Sequence, residues 1–349
     1  MKNKKIKIVV DKNEREIRID KFLVKEIQNI SRNQIQKVFN SGKILVNKKV
    51  INRKNHKVKP LDSIELEIEP LRSHIINLEY KNILEEKMDL NIVYEDEDLI
   101  IINKPAGIVV HPAYGNNQGT LINGIKYYFK KKKLKINLYR CGLIHRLDKY
   151  TSGLLVLAKN ESSQKYLSEQ FHKKTIKRKY IALIWGNLNL EKGVISGFIG
   201  RDPNNRKRMT IYNNNKGCNL NKGKLSITHY KVLERFKYIT YISCKLETGR
   251  THQIRTHFKY IGHPLFNDSV YGGNRIFFKR KLSKKNIDFF NVCLNILQRQ
   301  ALHAVSISFI HPKNRIFHFS SPIPKDFKIV LSMCRDQLHD YNNVPCNNI

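Results

Sequence analysis

Residues 152–160, SGLLVLAKN, constrain the fold more than any other stretch of this chain. The run is apolar, is bounded by turn-forming residues and is short enough to be a buried strand. Other segments also resemble short strands between polar turns, and two segments have helical periodicity. The strand-like segments are NIVYEDEDLIIINKP, GIVVHPA, RKYIALIWG and YITYISCKLETG, and the helical segments are SSQKYLSEQFHKK and THQIRTHFKYIG. Together they predict an α+β fold with a large mixed, mostly antiparallel sheet and few helices.

A chain of 349 residues exceeds one ordinary domain and suits two. In the N-terminal part, Ile19, Phe22 and Leu23 recur at helical spacing, and Ser31 is a good N-cap for a second helix. The segments KILVN and SIELEIE alternate as strands do, which predicts a small α/β domain. The sequence therefore divides into an N-terminal tail (1–12), this small domain (13–72), a linker (73–88), a large domain (89–335) and a C-terminal tail (336–349).

The charge of the chain is the best guide to its partner. It has 65 Lys and Arg residues against 29 Asp and Glu residues, a formal net charge of +36. Cationic side chains release condensed counterions from a phosphate backbone, whereas an enzyme for small neutral substrates needs no such field. Nucleic acid is therefore favoured over a membrane surface as the partner.

The six cysteines lie far apart and form no CxxC pair. This spacing excludes a zinc-ligand motif and a dense disulfide framework, and it favours reduced, structural thiols. The apolar run near the N-terminus is too short for a signal peptide, and no stretch approaches the ~20 apolar residues of a membrane span. We therefore expect a cytoplasmic protein with no membrane contact.

Asp148 lies between two cations, Arg146 and Lys149, just before the apolar run. Flanking cations favour an ionised carboxylate, which can act as a nucleophile, a base or a metal ligand. A metal is disfavoured because no second acidic residue lies at a useful spacing. The residues alone leave another interpretation open, an aspartate that merely caps a turn.

A second cluster, ETGRTHQIRTHF, places Arg250, His252 and Arg255 around the start of a predicted helix. Arg255 follows His252 by three residues, so both can share one face of the helix. The cluster is either a solvated basic helix end or, together with Thr251 and Gln253, an anion-binding helix N-terminus.

The segments HRLDKYTSGLLVLAKN and GRTHQIRTHFKYIGHPL resemble the signature segments of the RluA family of RNA pseudouridine synthases. Further segments agree in the same order, namely NKPAGIVVHP, RKYIALIWG, DSVYGG, RQALHA and HPKN. The resemblance implies an enzyme that converts uridine to pseudouridine in RNA, with no cofactor and no metal. The stretch VVHPAYGNNQGTLINGI, with the small domain in front, looks most like the members that act on large-subunit ribosomal RNA, the D type.

The resemblance also implies roles for individual residues. Asp148 would be the essential carboxylate, as a nucleophile or as a base on the sugar, and Arg255 would pair with it. Tyr180 matches the active-site tyrosine of the family and would stack on the uracil. Arg146 matches a residue that helps to hold the target nucleotide out of the RNA helix, because a base inside a stem must be flipped before it can react. Substrate RNA contacts are also expected from His145, Thr151, Arg250, His252 and Gln253.

The N-terminal domain resembles the ribosomal-protein-S-four type of RNA-binding domain. The resemblance rests on RIDKFL at residues 18–23, SR at 31–32, Gly42 and VN at 46–47. It implies RNA contacts by Arg18, Lys21, Arg32 and Lys37, for which a solvated charged surface is the alternative. Two positions depart from the glycine that the families usually have, Leu61 before Asp62 and Asn267 before Asp268.

Three other functions remain open at this point. A non-catalytic RNA-binding or ribosome-assembly factor could share the scaffold, although Asp148, Tyr180 and Arg255 are all intact. A nucleoside glycosidase or hydrolase would normally need a second carboxylate, and no partner motif is evident. A transfer RNA pseudouridine synthase would keep the chemistry and change the substrate. In every RNA-modifying case a monomer is the default, since the enzyme must engulf an RNA stem.

Overall fold

Contacts along the chain divide it into two units, Met1–Asn82 and Ile83–Ile349, which are described separately. The structure is a computed structural model. It describes residues 4–27, 35, 38–39, 44–68, 83–112, 115–134, 142–212, 223–277 and 279–338. Within these ranges, no helix combines the length and the apolar character that a membrane crossing requires.

The first unit packs helical residues against a small sheet, as the sequence predicted. Its elements are β1 (Lys4–Val9), β2 (Ile17–Arg18), α1 (Ile19–Glu26), β3 (Ile44–Val46), β4 (Lys49–Val50), β5 (Lys57–Val58) and β6 (Ser63–Ile68). The strands form a sheet of order β1-β6-β3-β4 and a separate β2–β5 pair. The apolar residues that predicted the first helix, Ile19, Phe22 and Leu23, are buried, and so is Phe39. Ser31 and Gly42 lie outside the described residues.

The residues that we predicted to be an N-terminal tail contain a strand. β1 pairs antiparallel with β6, from Lys4 opposite Ile68 to Val9 opposite Ser63. Its Lys/Ile alternation explains the result, because Ile6 and Ile8 pack on the core of the unit while lysines occupy the other face.

The second unit begins with β7 (Ile92–Glu95), β8 (Leu99–Lys104), α2 (Leu121–Lys131), β9 (Ser152–Ala158), α3 (Glu161–His172) and β10 (Lys177–Trp185). It continues with β11 (Lys192–Arg201), β12 (Met209–Tyr212), β13 (Lys224–Arg235), β14 (Ile239–Leu246) and α4 (Gln253–Tyr260). It ends with α5 (Lys284–Ile296), β15 (Leu302–Ile310), β16 (Ile316–Ser320) and α6 (Lys325–Leu338).

These strands form one ten-stranded sheet of order β12-β11-β13-β14-β10-β15-β9-β8-β7, with β16 paired to β15. Between β15 and β9 the strands run parallel, with His303 opposite Ser152 and Ala304 opposite Gly153. The other pairings described in this sheet are antiparallel. The predicted mixed, mostly antiparallel sheet is therefore confirmed.

The apolar run SGLLVLA is β9, and all seven of its residues are buried. Leu154, Val156 and Ala158 pack in one cluster with Leu167 of α3. A strand covered on both faces has no reason to alternate, which explains its continuous apolar sequence.

The segment GIVVHPA is not a strand, contrary to the prediction. Its carbonyl groups serve a helix instead, because Val109 O and Val110 O accept hydrogen bonds from the backbone N–H groups of Leu121 and Ile122. These are among the first N–H groups of α2, which have no partner within the helix. The helix α2 itself was not predicted from the sequence.

Two segments outside the predicted large domain also pack on it. Ile83 O and Leu84 O, in the predicted linker, accept hydrogen bonds from Lys126 Nζ (2.5 Å) and Asn123 Nδ2 (2.8 Å) of α2. At the other end, α6 extends into the predicted tail, where the side chain of Leu338 is buried.

Candidate active site

Asp148 lies in the turn that leads into β9. The backbone N–H of Thr151 donates to Asp148 O (3.1 Å), and Lys149 O accepts from the backbone N–H of Gly107 (2.9 Å). The Asp148 side chain is 18% exposed and borders a cleft of about 720 Å³. The backbone of the turn is thus anchored, while the carboxylate reaches the cleft.

Lys104, the last residue of β8, is completely buried under this turn. Its Nζ donates to the carbonyl groups of Pro105 (2.7 Å), Ile108 (2.9 Å) and Lys149 (3.1 Å). Burial lowers the pKa of Lys104 to about 7, and the charge of Asp148 opposes this shift. Sequence reasoning missed this lysine, because its three acceptors come together only in the folded chain.

Arg299 and Gln300 support the turn from the other side. Arg299 Nη1 donates to Tyr150 O (3.4 Å), while Nε and Nη2 bind both carboxylate oxygens of Asp326 (2.7 and 2.9 Å). Gln300 Nε2 donates to Thr151 Oγ1 (3.2 Å). Arg299 and Gln300 belong to the segment RQALHA, which stood out in the sequence only through the family resemblance. The structure shows that this segment holds the turn of Asp148 in place.

Arg255, on α4, joins the second sequence cluster to Asp148. Its Nη1 donates to Asp148 Oδ2 (3.0 Å), across 107 positions of sequence. Only 4% of Arg255 is exposed. Burial opposes its charge, but neighbouring carboxylates outweigh that effect and hold the pKa of Arg255 above its ordinary value.

The other carboxylate on Arg255 is Asp268, which sequence reasoning did not assign to the site. Asp268 Oδ2 accepts from Arg255 Nε (2.7 Å) and Oδ1 accepts from Nη2 (2.9 Å), a two-pronged pair. Oδ1 also accepts from the backbone N–H groups of Val270 (3.1 Å) and Tyr271 (3.2 Å). Asp268 is fully buried, so it fixes the guanidinium without reaching the cleft.

His252 approaches Asp148 as well, with 3.9 Å between Nε2 and Asp148 Oδ2. The Tyr271 hydroxyl accepts hydrogen bonds from Met209 N (2.9 Å) and Thr256 Oγ1 (3.1 Å). Its own proton is therefore donated to His252 Nδ1 (3.0 Å), which leaves the proton of the neutral ring on Nε2, facing Asp148. Burial is the main cause that lowers the pKa of His252. The residue also has a left-handed backbone, with φ of 55°, directly before α4.

Tyr180 of β10 lines the same cleft as Asp148, although the two residues are far apart in sequence. Burial raises the pKa of its phenol, and the charge of Asp148 acts in the same direction. The phenol is therefore protonated at neutral pH. The structure thus brings together the carboxylate, the arginine and the tyrosine that the resemblance implied.

Cations outnumber carboxylates around this cleft. The lining residues include Arg146, Lys174, Arg178 and Arg250, besides Arg255. The lining carboxylates are Asp148 and Glu247. Such a cleft suits a polyanionic substrate.

Asp96, Asp98 and His311 form a separate cluster away from the cleft. Each offers one atom that could bind a metal ion, and these atoms lie within 4.8 Å of one another. The backbone N–H of Lys313 donates to His311 Nδ1 (3.1 Å), so the proton of the neutral ring is on Nε2. Nε2 faces Asp96 Oδ2 at 2.9 Å and cannot offer a lone pair to a metal in this tautomer. The ring also stacks on Phe317, with 4.5 Å between ring centres, which agrees with a packing role for His311.

Comparison with known proteins decides the family. Residues 98–260 match the family model described as RNA pseudouridylate synthase, and residues 17–64 match the S4 domain. The chain is 38% identical over 332 residues to an uncharacterized RNA pseudouridine synthase of Bacillus subtilis (strain 168), covering 95% of this chain and 98% of that protein. This chain belongs to the RNA pseudouridine synthases.

Other relatives of the synthase agree. A ribosomal large subunit pseudouridine synthase D of Buchnera aphidicola (subsp. Acyrthosiphon pisum) is 38% identical, covering 90% of this chain and 93% of that protein. Human RNA Pseudouridylate Synthase Domain Containing 1 matches with a TM-score of 0.50 and 25% identity, covering 69% of this chain and 87% of that one. The family resemblance seen in the sequence motifs is therefore confirmed.

Two residues that we expected to contact RNA have their polar groups engaged within the synthase. Gln253 Oε1 accepts from Thr248 Oγ1 (2.8 Å) and Arg250 N (3.0 Å), while Nε2 donates to Ile227 O (3.0 Å) and Thr228 Oγ1 (3.0 Å). Thr151 Oγ1 accepts a hydrogen bond from Gln300 Nε2. The side chains of Thr151 and Gln253 are both buried. Their visible role is to hold the segments that carry Arg255 and Asp148.

In the S4 unit of the synthase, Arg18 is also occupied. Its Nε and Nη2 bind the two carboxylate oxygens of Asp20 (3.0 and 2.8 Å). Lys21 is exposed, and Arg32 and Lys37 lie outside the described residues. Contact of these four side chains with RNA stays a prediction.

Proposed function

We propose that this synthase isomerises specific uridines of large-subunit (23S) ribosomal RNA and that Asp148 is its essential carboxylate. The observation that carries the proposal is the contact of Asp148 Oδ2 with Arg255 Nη1 (3.0 Å), at a cleft that Tyr180 also lines. The substrate class is supported by the relatives whose names specify the large ribosomal subunit, such as the enzyme of Buchnera aphidicola.

The reaction breaks the N1–C1′ bond of uridine and forms a C5–C1′ bond. C5 loses a proton and N1 gains one, so the isomerisation needs no co-reactant. Asp148 Oδ2 is held by Arg255, whereas Oδ1 accepts no hydrogen bond within the described part of the chain. Oδ1 can therefore attack C1′ as a nucleophile or remove a proton from the sugar as a base. Tyr180 would stack on the uracil ring and, being protonated, could donate a hydrogen bond to it.

The target base would enter the cleft by flipping out of the RNA stem. Arg146 is exposed beside Asp148, where it could occupy the space that the base leaves. Extrusion costs a few kcal/mol, which phosphate contacts of the cationic cleft and binding by the S4 domain can offset. We further propose that the enzyme acts as a monomer in the cytoplasm, where it would meet ribosomal RNA.

Pseudouridine mapping of total RNA tests this proposal. Cells that lack the gene would be complemented with the wild type, with Asp148→Asn or with the exposed control Asp288→Asn. We expect specific large-subunit sites to disappear in the deletion and to return with the wild type and the control only.

Each other outcome has a defined meaning. If transfer RNA loses a site instead, the chemistry stands and the ribosomal substrate is wrong. If Asp148→Asn restores the sites, Asp148 is not essential. If no pseudouridine changes but ribosome assembly suffers, a non-catalytic assembly role replaces the proposal.

A further inference from the structure

Arg178, two residues before Tyr180 on β10, lines the cleft without a hydrogen-bonded or ionic partner among the described residues. Its Nε is buried and donates no hydrogen bond to any of the described residues. Both carboxylates that line the cleft are engaged elsewhere. Asp148 Oδ2 binds Arg255 Nη1 (3.0 Å), and Glu247 Oε1 lies 2.5 Å from His229 Nε2.

The position of the Arg178 guanidinium is set by its neighbours. Its central carbon lies 5.2 Å from the centre of the Phe171 ring, a cation–π contact. On another side is Gly249, where an added Cβ would lie only 2.7 Å from Arg178 Nη1. Of the Arg178 donors, only Nε is a buried atom without a partner. The two Nη atoms are accessible and open onto the cleft.

A second unsatisfied donor lies beside Arg178. His145 stacks on the same Phe171 ring, with 4.9 Å between ring centres. The backbone N–H of Val156 donates to His145 Nε2 (3.1 Å), so the proton of the neutral ring is on Nδ1. Nδ1 is buried and has no hydrogen-bond partner in the part of the chain that the structure describes. Burial lowers the pKa of His145 to about 3, and therefore the ring adds no charge that would repel Arg178.

We propose that Arg178, held against the Phe171 ring on which His145 also stacks, binds a phosphodiester group of the RNA next to the flipped nucleotide. This inference rests on the proposed function, since RNA must enter the cleft. A partly desolvated guanidinium without a carboxylate is costly, and a phosphate would supply both the charge and the paired acceptors that its fork requires. Lys174 and Arg250 line the same cleft and extend the cationic path along the RNA backbone.

Arg178→Gln tests the contact, and Lys179→Gln is the matched control. Lys179 is the next residue of the same strand, is exposed, and does not line the cleft. Binding would be measured at several salt concentrations, with a stem-loop that contains a uridine modified by the wild type. Loss of one charge-assisted phosphate contact should weaken binding by about 10- to 100-fold and reduce the salt slope by about one unit.

The control should change binding by less than about 3-fold, since Lys179 is exposed on the opposite face of β10 from Arg178 and its charge is screened by solvent. Arg178→Lys keeps the charge but loses the fork, so it should retain the salt slope while binding more weakly than the wild type. Because the contact exists before and during the reaction, Arg178→Gln should lower RNA affinity by a larger factor than it lowers the single-turnover rate at saturating RNA.

Neutral methylphosphonate linkages, placed one at a time around the target uridine, locate the phosphate. At the linkage that Arg178 binds, Arg178→Gln should no longer weaken binding. The proposal is overturned if Arg178→Gln behaves like Lys179→Gln, or if no single neutral linkage removes its effect. The Arg178 test uses whichever RNA the wild type modifies. Failure of the proposed function is therefore a separate result, namely a wild-type enzyme that modifies no ribosomal RNA.

Discussion

Arg255 divides its donors between two carboxylates with different tasks. Nε and Nη2 bind Asp268, which is buried, and Nη1 remains for Asp148 at the cleft. The two-pronged pair fixes the plane of the guanidinium, so the direction of the remaining N–H bond is fixed as well. At the scale of single residues, the orientation of Asp148 thus depends on a side chain that is fully buried and does not line the cleft.

Asp268→Asn should therefore damage both stability and catalysis. The change leaves a buried arginine with only a partly exposed carboxylate, and breaking such a pair costs about 3–5 kcal/mol of the free energy of unfolding. We expect the single-turnover rate to fall by at least about 10-fold while RNA affinity changes much less. Chemical denaturation and single-turnover assays would measure the two effects. Asp288→Asn, exposed on α5, is the control and should change neither; an equal response of both variants would contradict the prediction.

Lys104 gives stability a specific dependence on pH. The pKa of Lys104 is about 7 in the folded chain, whereas the pKa of a lysine in the unfolded chain is about 10.4. Between these values the unfolded chain binds one more proton, so this group raises the free energy of unfolding as pH increases, by up to about 1.4 kcal/mol per pH unit. Below about pH 7 both states are protonated and the effect is constant.

The comparison of wild type with Lys104→Met at pH 7, 8 and 9 isolates this term. The variant also removes the donor that three backbone carbonyl groups share, so it should be less stable at each pH. The wild type should gain stability relative to the variant as pH rises. The exposed Lys131→Met serves as the control for loss of a lysine. A difference that stays constant with pH would contradict the folded-state pKa of Lys104.

At the scale of elements, the parallel pairing of β9 with β15 places the Asp148 turn. Gly153 has φ of 117°, and a Cβ there would lie 2.3 Å from Ala304 O. Gly153→Ala should separate the two strands at the point where β9 leaves the turn. We expect a loss of more than about 3 kcal/mol of the free energy of unfolding and a reduced rate, measured by denaturation and single-turnover assays.

Gly107→Ala is the matched control for this change. Gly107 has φ of 90°, but nothing lies within 4 Å of the position that an added Cβ would take. Gly107→Ala should lower the free energy of unfolding only by the strain of a left-handed backbone, about 1–2 kcal/mol. If Gly153→Ala costs no more than Gly107→Ala, the close approach of β9 and β15 does not matter for the site.

Sequence patterns predicted elements where one local signal dominated. β9 followed from an apolar run, and α3 and α4 followed from helical spacing. The segment GIVVHPA has an apolar composition suited to a strand, but its carbonyl groups are taken by the start of α2. Composition does not reveal such a use of the backbone, so this prediction failed.

The site was predictable only in part, for a related reason. Spacing marked Asp148 and Arg255 as unusual, but their pairing was implied by the family resemblance. The roles of Asp268 and Lys104 depend on contacts that no local pattern contains. The departures at Leu61 and Asn267 have a structural counterpart, since both adopt the left-handed backbone that glycine usually provides, with φ of 67° and 55°.

At the scale of the whole molecule, the two units have separate cores, so each can be tested alone. The core of the first unit uses residues between Ile6 and Leu66, and the second unit has its own clusters. We expect a chain that lacks residues 1–79 to fold and to keep Ile83 and Leu84 against α2. It should bind RNA at least about 100-fold more weakly, because it loses a tethered binding domain.

Thermal unfolding and RNA titration would test the truncated chain. Removal of residues 341–349, YNNVPCNNI, which carry no charged side chain, is the control and should leave affinity unchanged. RNA affinity of the shortened chain equal to that of the full chain would contradict a binding role for the first unit. Failure to fold would contradict the independence of the two cores.

The anchoring of Arg255 by Asp268 has a genetic consequence. Because Asp148 contributes one of the three carboxylate contacts to this guanidinium, a chain with Asp148→Asn should remain folded and should still occupy its RNA. In a cell that also carries the normal gene, the altered chain would compete for the same uridines. We expect such an allele to be dominant when overexpressed, whereas an Asp268 allele, which destabilises the chain, should be recessive.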